Sequence, residues 1–93
     1  MTTQATATLD LGKDLTIPQL AELYIQSLRL LNDEQPIMVE ISEISMVDTA
    51  GVQFLLNLSK AAAQAKQSLQ FSNPSQVLTD RIKSLGLEEK LPI

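Results

Sequence analysis

The chain has 93 residues, 44% of them hydrophobic, and eleven acidic against seven basic residues give a net charge of −4 at pH 7. That is one domain, 1–93, with apolar content sufficient for one core. Cys, His and Trp are absent, which excludes disulfides, thiolate nucleophiles and the commonest general base and metal ligand.

The same composition narrows the partners. A negative chain with one Tyr and two Phe lacks both the cations for phosphate and the stacking platforms for single strands, so no nucleic acid is expected. The acidic residues are scattered, so neither a metal site nor a cofactor is expected. No apolar run approaches the roughly 20 residues of a membrane span. Met1 to Thr8 lacks the basic start and apolar run of a signal peptide. The expectation is a soluble, cytoplasmic protein with no direct membrane insertion.

In chain order, Ala5-Thr6-Ala7-Thr8-Leu9-Asp10-Leu11 alternates, with Ala5, Ala7, Leu9 and Leu11 on one face of a half-exposed strand. Gly12-Lys13-Asp14 is a turn, and Leu15-Thr16 a short second strand. Thr16 then opens a helix. Thr16 and Gln19 fit a capping box, Pro18 is tolerated in the first turn, and Leu15 and Leu20 are spaced as a hydrophobic staple. Leu20, Leu23, Tyr24, Leu28 and Leu31 recur at helical spacing up to an end near Leu31.

Ile37 to Ser42 is nearly continuous apolar sequence, the pattern of a strand covered on both faces. Glu43 to Met46 is a connection, with Ile44 and Val47 tucked into the core. Asp48 is the N-cap of a second helix, Thr49 to Ala65. Ser68 to Phe71 is a third core strand. Asn73 is the expected N-cap of a last helix, with Gln76 reaching back and Val77, Leu78, Ile82 and Leu85 facing inward. Gly86 fits a left-handed C-terminal cap, with Leu87 folding back on Ile82. Leu91 and Ile93 add a final short element. The alternation of strands and helices implies an α/β domain with at least one parallel pair.

The second helix carries two apolar stripes. Val52, Leu55, Leu56, Ala62 and Ala63 form the core face, and Phe54, Leu58, Ala61 and Ala65 lie roughly opposite. A surface helix needs only one stripe. Neighbouring helices can cover the second, or part of it can meet a partner. Phe54, nearest the helix start, is the expected partly exposed anchor, whose replacement by Ser should cost little stability. The small residues Thr49, Ala50 and Gly51 leave the first turn bare. That fits an ordinary strand-to-helix turn, and it also fits a docking point.

The run Val47-Asp48-Thr49-Ala50-Gly51-Val52-Gln53-Phe54-Leu55-Leu56 resembles the signature of the STAS family, the sulfate-transporter and anti-sigma-factor-antagonist domains. Val39-Glu40-Ile41-Ser42 is similar to that family's strand motif, in which Asp is usual where Glu40 stands. Asn73-Pro74-Ser75 and Leu85-Gly86-Leu87 match its C-terminal third. The resemblance runs from about Leu9 to Leu91. It implies an α/β, anti-sigma factor antagonist-like fold: a mixed four- to five-stranded sheet with three to four packed helices. It also implies a non-enzymatic regulatory interaction module of bacterial signalling that binds an ATP-handling protein.

Three branches of the family suggest three partners. In anti-sigma factor antagonists the partner is a serine kinase (the anti-sigma factor), and the phosphorylated hydroxyl stands two residues after the Asp. Here that position is Ala50, which cannot accept phosphate, so Thr49 is the candidate phosphorylation site. Thr49 is similar to the Thr of STAS subunits in phospholipid-transport ABC systems, which dock on the transporter ATPase. Asp48-Thr49-Ala50-Gly51 and Leu15 to Leu23 are also similar to lone STAS domains encoded beside chemotaxis genes, where a chemotaxis kinase is the partner. The expected partner-binding residues are Asp48, Thr49, Ala50, Gly51, Gln53, Phe54 and Asn57.

An enzyme is the rival class. Glu40 and Asp48 could form an acid/base pair, but strand and cap roles explain both, and no nucleophile accompanies them. A nucleotide-binding domain would need a glycine-rich loop, and only Gly12, Gly51 and Gly86 exist.

Overall fold

The computed structural model describes residues 6–33, 35–91 and 93. The elements are β1 (Ala7–Asp10), β2 (Asp14–Leu15), α1 (Ile17–Leu31), β3 (Ile37–Glu40), β4 (Met46–Val47), α2 (Thr49–Gln64), β5 (Leu69–Phe71) and α3 (Gln76–Ser84). Ala5, the first residue of the expected strand, lies outside the described residues.

Two parallel sheets are built from them. The larger has strand order β1-β3-β5, and the smaller pairs β2 with β4. Among the described residues all three strand pairings are parallel, and the five strands divide between two sheets where one mixed sheet was expected. Parallel pairing requires a crossover between the paired strands; α1 lies between β1 and β3 in the chain, and α2 between β3 and β5. The β2–β4 pair is only half legible in the sequence. Leu15 reads as a strand, but Met46-Val47 reads as connection until Asp14 and Leu15 stand opposite it.

Leu9, Val39 and Phe71 stand in register across the larger sheet, and so do Thr8, Met38 and Gln70. The first row turns inward, with Leu9 and Val39 buried. Thr8 and Gln70 are exposed and Met38 is half-buried. The reading of β3 as covered on both faces is therefore corrected. One face of this sheet meets the helices and the other stays partly open, a pattern its polar neighbours Thr8 and Gln70 impose.

The core joins strand residues Leu9, Ile37 and Val39, and Ile41 just beyond β3, to Val52, Leu55 and Leu56 of α2 and Leu78 and Ile82 of α3. Ile44 and Val47 are buried as expected, and so is Leu91, although it lies outside any helix or strand. Val77 and Ala63, expected inside, are exposed. Val77 stands about 100–140° of helix turn from the buried Leu78 and Ile82, too far round to reach the core, whereas Ala63 shares the angular position of Val52 but lies in the last turn of α2.

Two helix starts differ from expectation. Thr16 is the N-cap of α1, but its side chain caps nothing; the hydroxyl donates to Asp14 Oδ1 instead. For α3 the N-cap is Ser75, which accepts from Leu78 N at 3.2 Å, not Asn73. The chain after β5 keeps hydrogen bonding alongside β3, with Ser72 N on Val39 O and Ser75 N on Ile41 O. The helix cannot begin until that ladder ends. The other end of α3 is as read. Gly86 has φ +69°, its N–H donates to Lys83 O at 3.0 Å, and Leu87 N donates to Ile82 O at 3.1 Å, the paired bonds of a Schellman cap. Among the described residues, no helix is long and apolar enough to cross a membrane.

Candidate functional site

Asp48 holds the centre of the site. It leaves β4 in extended conformation and its Oδ1 accepts from Gly51 N at 2.8 Å, capping α2. Its other oxygen, Oδ2, accepts from Ile17 N at 3.0 Å, the first residue of α1, 31 positions earlier. One carboxylate thus ties together the N-terminal ends of both helices and satisfies one orphan donor of each. The capping-box role assigned to Thr16 is filled from a distance by Asp48.

This geometry explains why the residue is an acid. Both oxygens face N–H groups, and an Asn would turn its NH2 toward one of them. Asp48→Ala should destabilise the fold by about 2–3 kcal/mol, two lost caps at about 1 kcal/mol or slightly more each. Asp48→Asn should cost about half as much, because one acceptor survives. Urea titration of wild type and the two variants reads this directly. Equal stability of wild type and Asp48→Asn would show that Ile17 N needs no anionic partner.

Gly51 is buried because the chain crosses it closely. A Cβ built there would lie 2.1 Å from Leu15 O and 3.1 Å from Val47 Cγ2. Of the expected binding residues, Gly51 is therefore a buried packing position. Asp48 is half-buried, Thr49 exposed and Ala50 half-buried. Gln53 and Asn57 are exposed on the next two turns, with Gln53 Nε2 donating to Asn57 Oδ1 at 3.4 Å. These polar residues form one accessible ridge along α2.

Phe54 does not belong to that ridge. It is only 8% exposed and lies in the core cluster, and Leu58 is 4% exposed. The second apolar stripe of α2 is buried at Phe54 and Leu58, where α1 packs against α2, half-buried at Ala61 and exposed at Ala65. The expectation of a partly exposed anchor at Phe54 is corrected. The residue forms part of the lining of a groove of about 290 Å³ between α1 and α2, together with Tyr24, Leu28 and Ala61.

Sequence reasoning misses what lies on α1. Ile17 is 66% exposed, Tyr24 57%, Ile25 52% and Leu28 42%. The helical spacing of Tyr24 and Leu28 reads as core, and the signal against that is Ser27. Ser27 is buried, its hydroxyl donating to Tyr24 O at 2.8 Å, so the inward face of α1 runs through Leu20, Leu23 and Ser27.

Glu40 lies at the end of β3. Its Oε1 accepts from Ser42 N at 3.0 Å, from the Ser42 hydroxyl, and from Ser72 Oγ at 2.8 Å. Those donors, the Ser42 hydroxyl first, hold its carboxyl below the usual carboxylate range. Ser72 Oγ also accepts from Ile41 N at 2.9 Å, so Glu40 closes a small network joining β3 to the chain after β5. Both carboxylates of the conceivable acid/base pair are thus engaged by donors of the fold itself. Among the described residues, no group of three or more Asp and Glu side chains is placed to hold a metal ion.

Comparison with known proteins agrees with this architecture. A search of curated proteins gives no match to the chain. A family model described as "Mlab, STAS domain" matches residues 1–92, and the five parallel strands, three helices and Asp-capped α2 lie within that match. The chain belongs to the STAS domain family, whose members are in general non-enzymatic regulatory modules for protein interaction.

Proposed function

We propose that this STAS domain regulates an ATP-handling protein, a kinase or an ATPase, by docking it on the start of α2. The reading rests on Asp48. Its double cap fixes the two helix ends relative to each other, so the exposed ridge Thr49–Gln53–Asn57 is presented on a rigid mount. Rigid presentation lowers the ordering cost of binding, and the bare first turn permits close backbone approach. Ala50 holds no hydroxyl, which removes the acceptor position of the anti-sigma factor antagonists. Thr49 is exposed at the first helical position and is the hydroxyl a kinase would reach.

An ATPase subunit is the favoured partner within that class. Thr49 after Asp48 is the pattern of the phospholipid-transport branch, and the matching family description carries the name Mlab. An anti-sigma kinase or a chemotaxis kinase is the other form of the same reading.

Thr49→Glu is the test. Negative charge in the first turn of a helix is tolerated or mildly stabilising, so folding should be unchanged. Affinity for the ATP-handling protein recovered with the wild-type chain from its native cell should fall at least tenfold, because a charge is placed unpaired in a docked surface. Wild-type affinity in the Thr49→Glu variant, measured by calorimetry beside an unchanged melting temperature, would show that the start of α2 is not the interface.

A further inference from the structure

The candidate site has apolar neighbours as well as polar ones. Along β4, Val47 turns into the core and Met46 points the opposite way, 57% exposed. Asp14 stands opposite Met46 in the β2–β4 pair. Ile17, 66% exposed, begins α1 with its N–H on Asp48 Oδ2. Met46 and Ile17 therefore flank Asp48, one two residues before it in the chain and the other tied to it by a hydrogen bond. Phe54 lies in the core and cannot anchor a partner at this end of the molecule. Met46 and Ile17 are exposed, large and apolar, and stand beside the start of α2.

Charge limits what can cover them. Asp48 sets one negative charge against two helix N-termini of about half a positive charge each, so it is nearly balanced. The flanking segments are not. Ser45 N donates to Lys13 O at 2.8 Å, which joins the loop after β3 to the turn before β2, and these segments carry Asp10, Asp14 and Glu43 against Lys13. Asp14 Oδ1 accepts from the Thr16 hydroxyl, a neutral donor that leaves the carboxylate charge in place. The cations of the two helices stand well away from their starts. Arg29 is in the last turn of α1 and Lys60 in the second half of α2, roughly 16–18 Å along the helix axes. A second copy docked symmetrically would set these acids against its own, and an anionic ligand would meet the same surplus. A basic surface complements it.

We infer that Met46 and Ile17 are the apolar anchors of the docking surface, and that the partner protein covers them with apolar side chains flanked by Lys or Arg. The inference rests on the reading of the start of α2 as the docking point, and it names the chemistry of the surface that meets it. Exposed apolar side chains at the centre of a contact carry much of its energy, and the charges around them set its specificity.

Calorimetry with the purified ATP-handling protein of the Thr49→Glu test decides it. Met46→Ser and Ile17→Ser should each weaken binding about tenfold or more, with melting temperatures near wild type because both side chains already face water. Should Met46→Ser lower the melting temperature, Ile17→Ser decides. Met46→Lys should bind more weakly than Met46→Glu, since both remove the anchor and only Lys adds repulsion. Wild-type affinity should fall as salt is raised from about 0.05 M to about 0.3 M. Wild-type affinity in both Ser variants, tighter binding by Met46→Lys than by Met46→Glu, or affinity unmoved by salt would overturn the inference. So would a self-associated species in sedimentation equilibrium that Met46→Ser disperses, since the occupant is then a second copy. Loss of binding in Thr49→Glu with both Ser variants at wild-type affinity would remove the anchors and leave the function reading intact. Loss in the Ser variants with Thr49→Glu at wild-type affinity would support the anchors and overturn the docking point on α2.

Discussion

Phe54→Ser should lower the unfolding free energy by about 4 kcal/mol, the range for removing a buried Phe side chain, and the melting temperature by roughly 15–30 °C. The residue is 8% exposed and sits where α2 meets α1, among Leu58, Leu28 and Leu31. Removal leaves a cavity beside an existing groove and puts a polar hydroxyl where an apolar ring was buried. A domain of this size has a total stability of about 5–14 kcal/mol, so the variant should lose roughly 30% of it or more. Phe54→Leu should cost about half as much. Urea unfolding followed by far-UV circular dichroism decides the matter. A loss below about 1 kcal/mol would place Phe54 at the surface after all, as its position near the helix start suggests to sequence reasoning. Reduced partner binding by the Phe54→Ser variant would then report a lost anchor, whereas on this structure it reports a loosened fold.

Gly51→Ala should destabilise by about 3 kcal/mol or more, although Ala is the better helix former by about 1 kcal/mol. Gly51 is the third residue of α2, with ordinary helical backbone. The obstacle is Leu15 O, 2.1 Å from where the Cβ would stand. That oxygen belongs to β2, whose pairing with β4 sets the path of the chain into α1. It also accepts from Asp48 N at 3.4 Å. The added methyl must push β2 from α2, which loosens that bond and draws Ile17 N away from the carboxylate. Overpacking of this kind costs roughly 1–3 kcal/mol, and here the atom displaced is backbone and cannot rotate aside. A melting temperature within about 4 °C of wild type would show that β2 yields cheaply. Because both helix starts move together in this variant, Thr49 and Gln53 should also become less protected from hydrogen exchange.

These two positions and Asp48 show where sequence reading succeeds and where it stops. Features governed by neighbours within about four residues are legible. The period of α2, the Asp48 cap on its own helix, the Schellman cap at Gly86 and the burial of Ile44 and Val47 all follow from local spacing, and the ordered motifs point to the family. The strand at Met46-Val47 is not legible, because two residues acquire strand character only from their partners Asp14 and Leu15. The start of α3 is misplaced by two residues because the chain first hydrogen bonds to the end of β3.

The candidate site divides along the same line. Thr49, Gln53 and Asn57 are recognisable as exposed from their place on the helix. Nothing local shows that Asp48 Oδ2 reaches Ile17, since the two are 31 residues apart. Periodicity shows that α2 has two apolar stripes, but only packing decides that the second is covered as well as the first, α1 lying over Phe54 and Leu58. The same packing turns Ser27 inward and leaves Tyr24 and Leu28 outside. Amino-acid order by itself determined the helices, the strands other than β4, the caps at Asp48 and Gly86, and the family, because these depend on short-range geometry. The tertiary structure alone decided which apolar residues face water, because that depends on which surfaces the crossovers bring into contact.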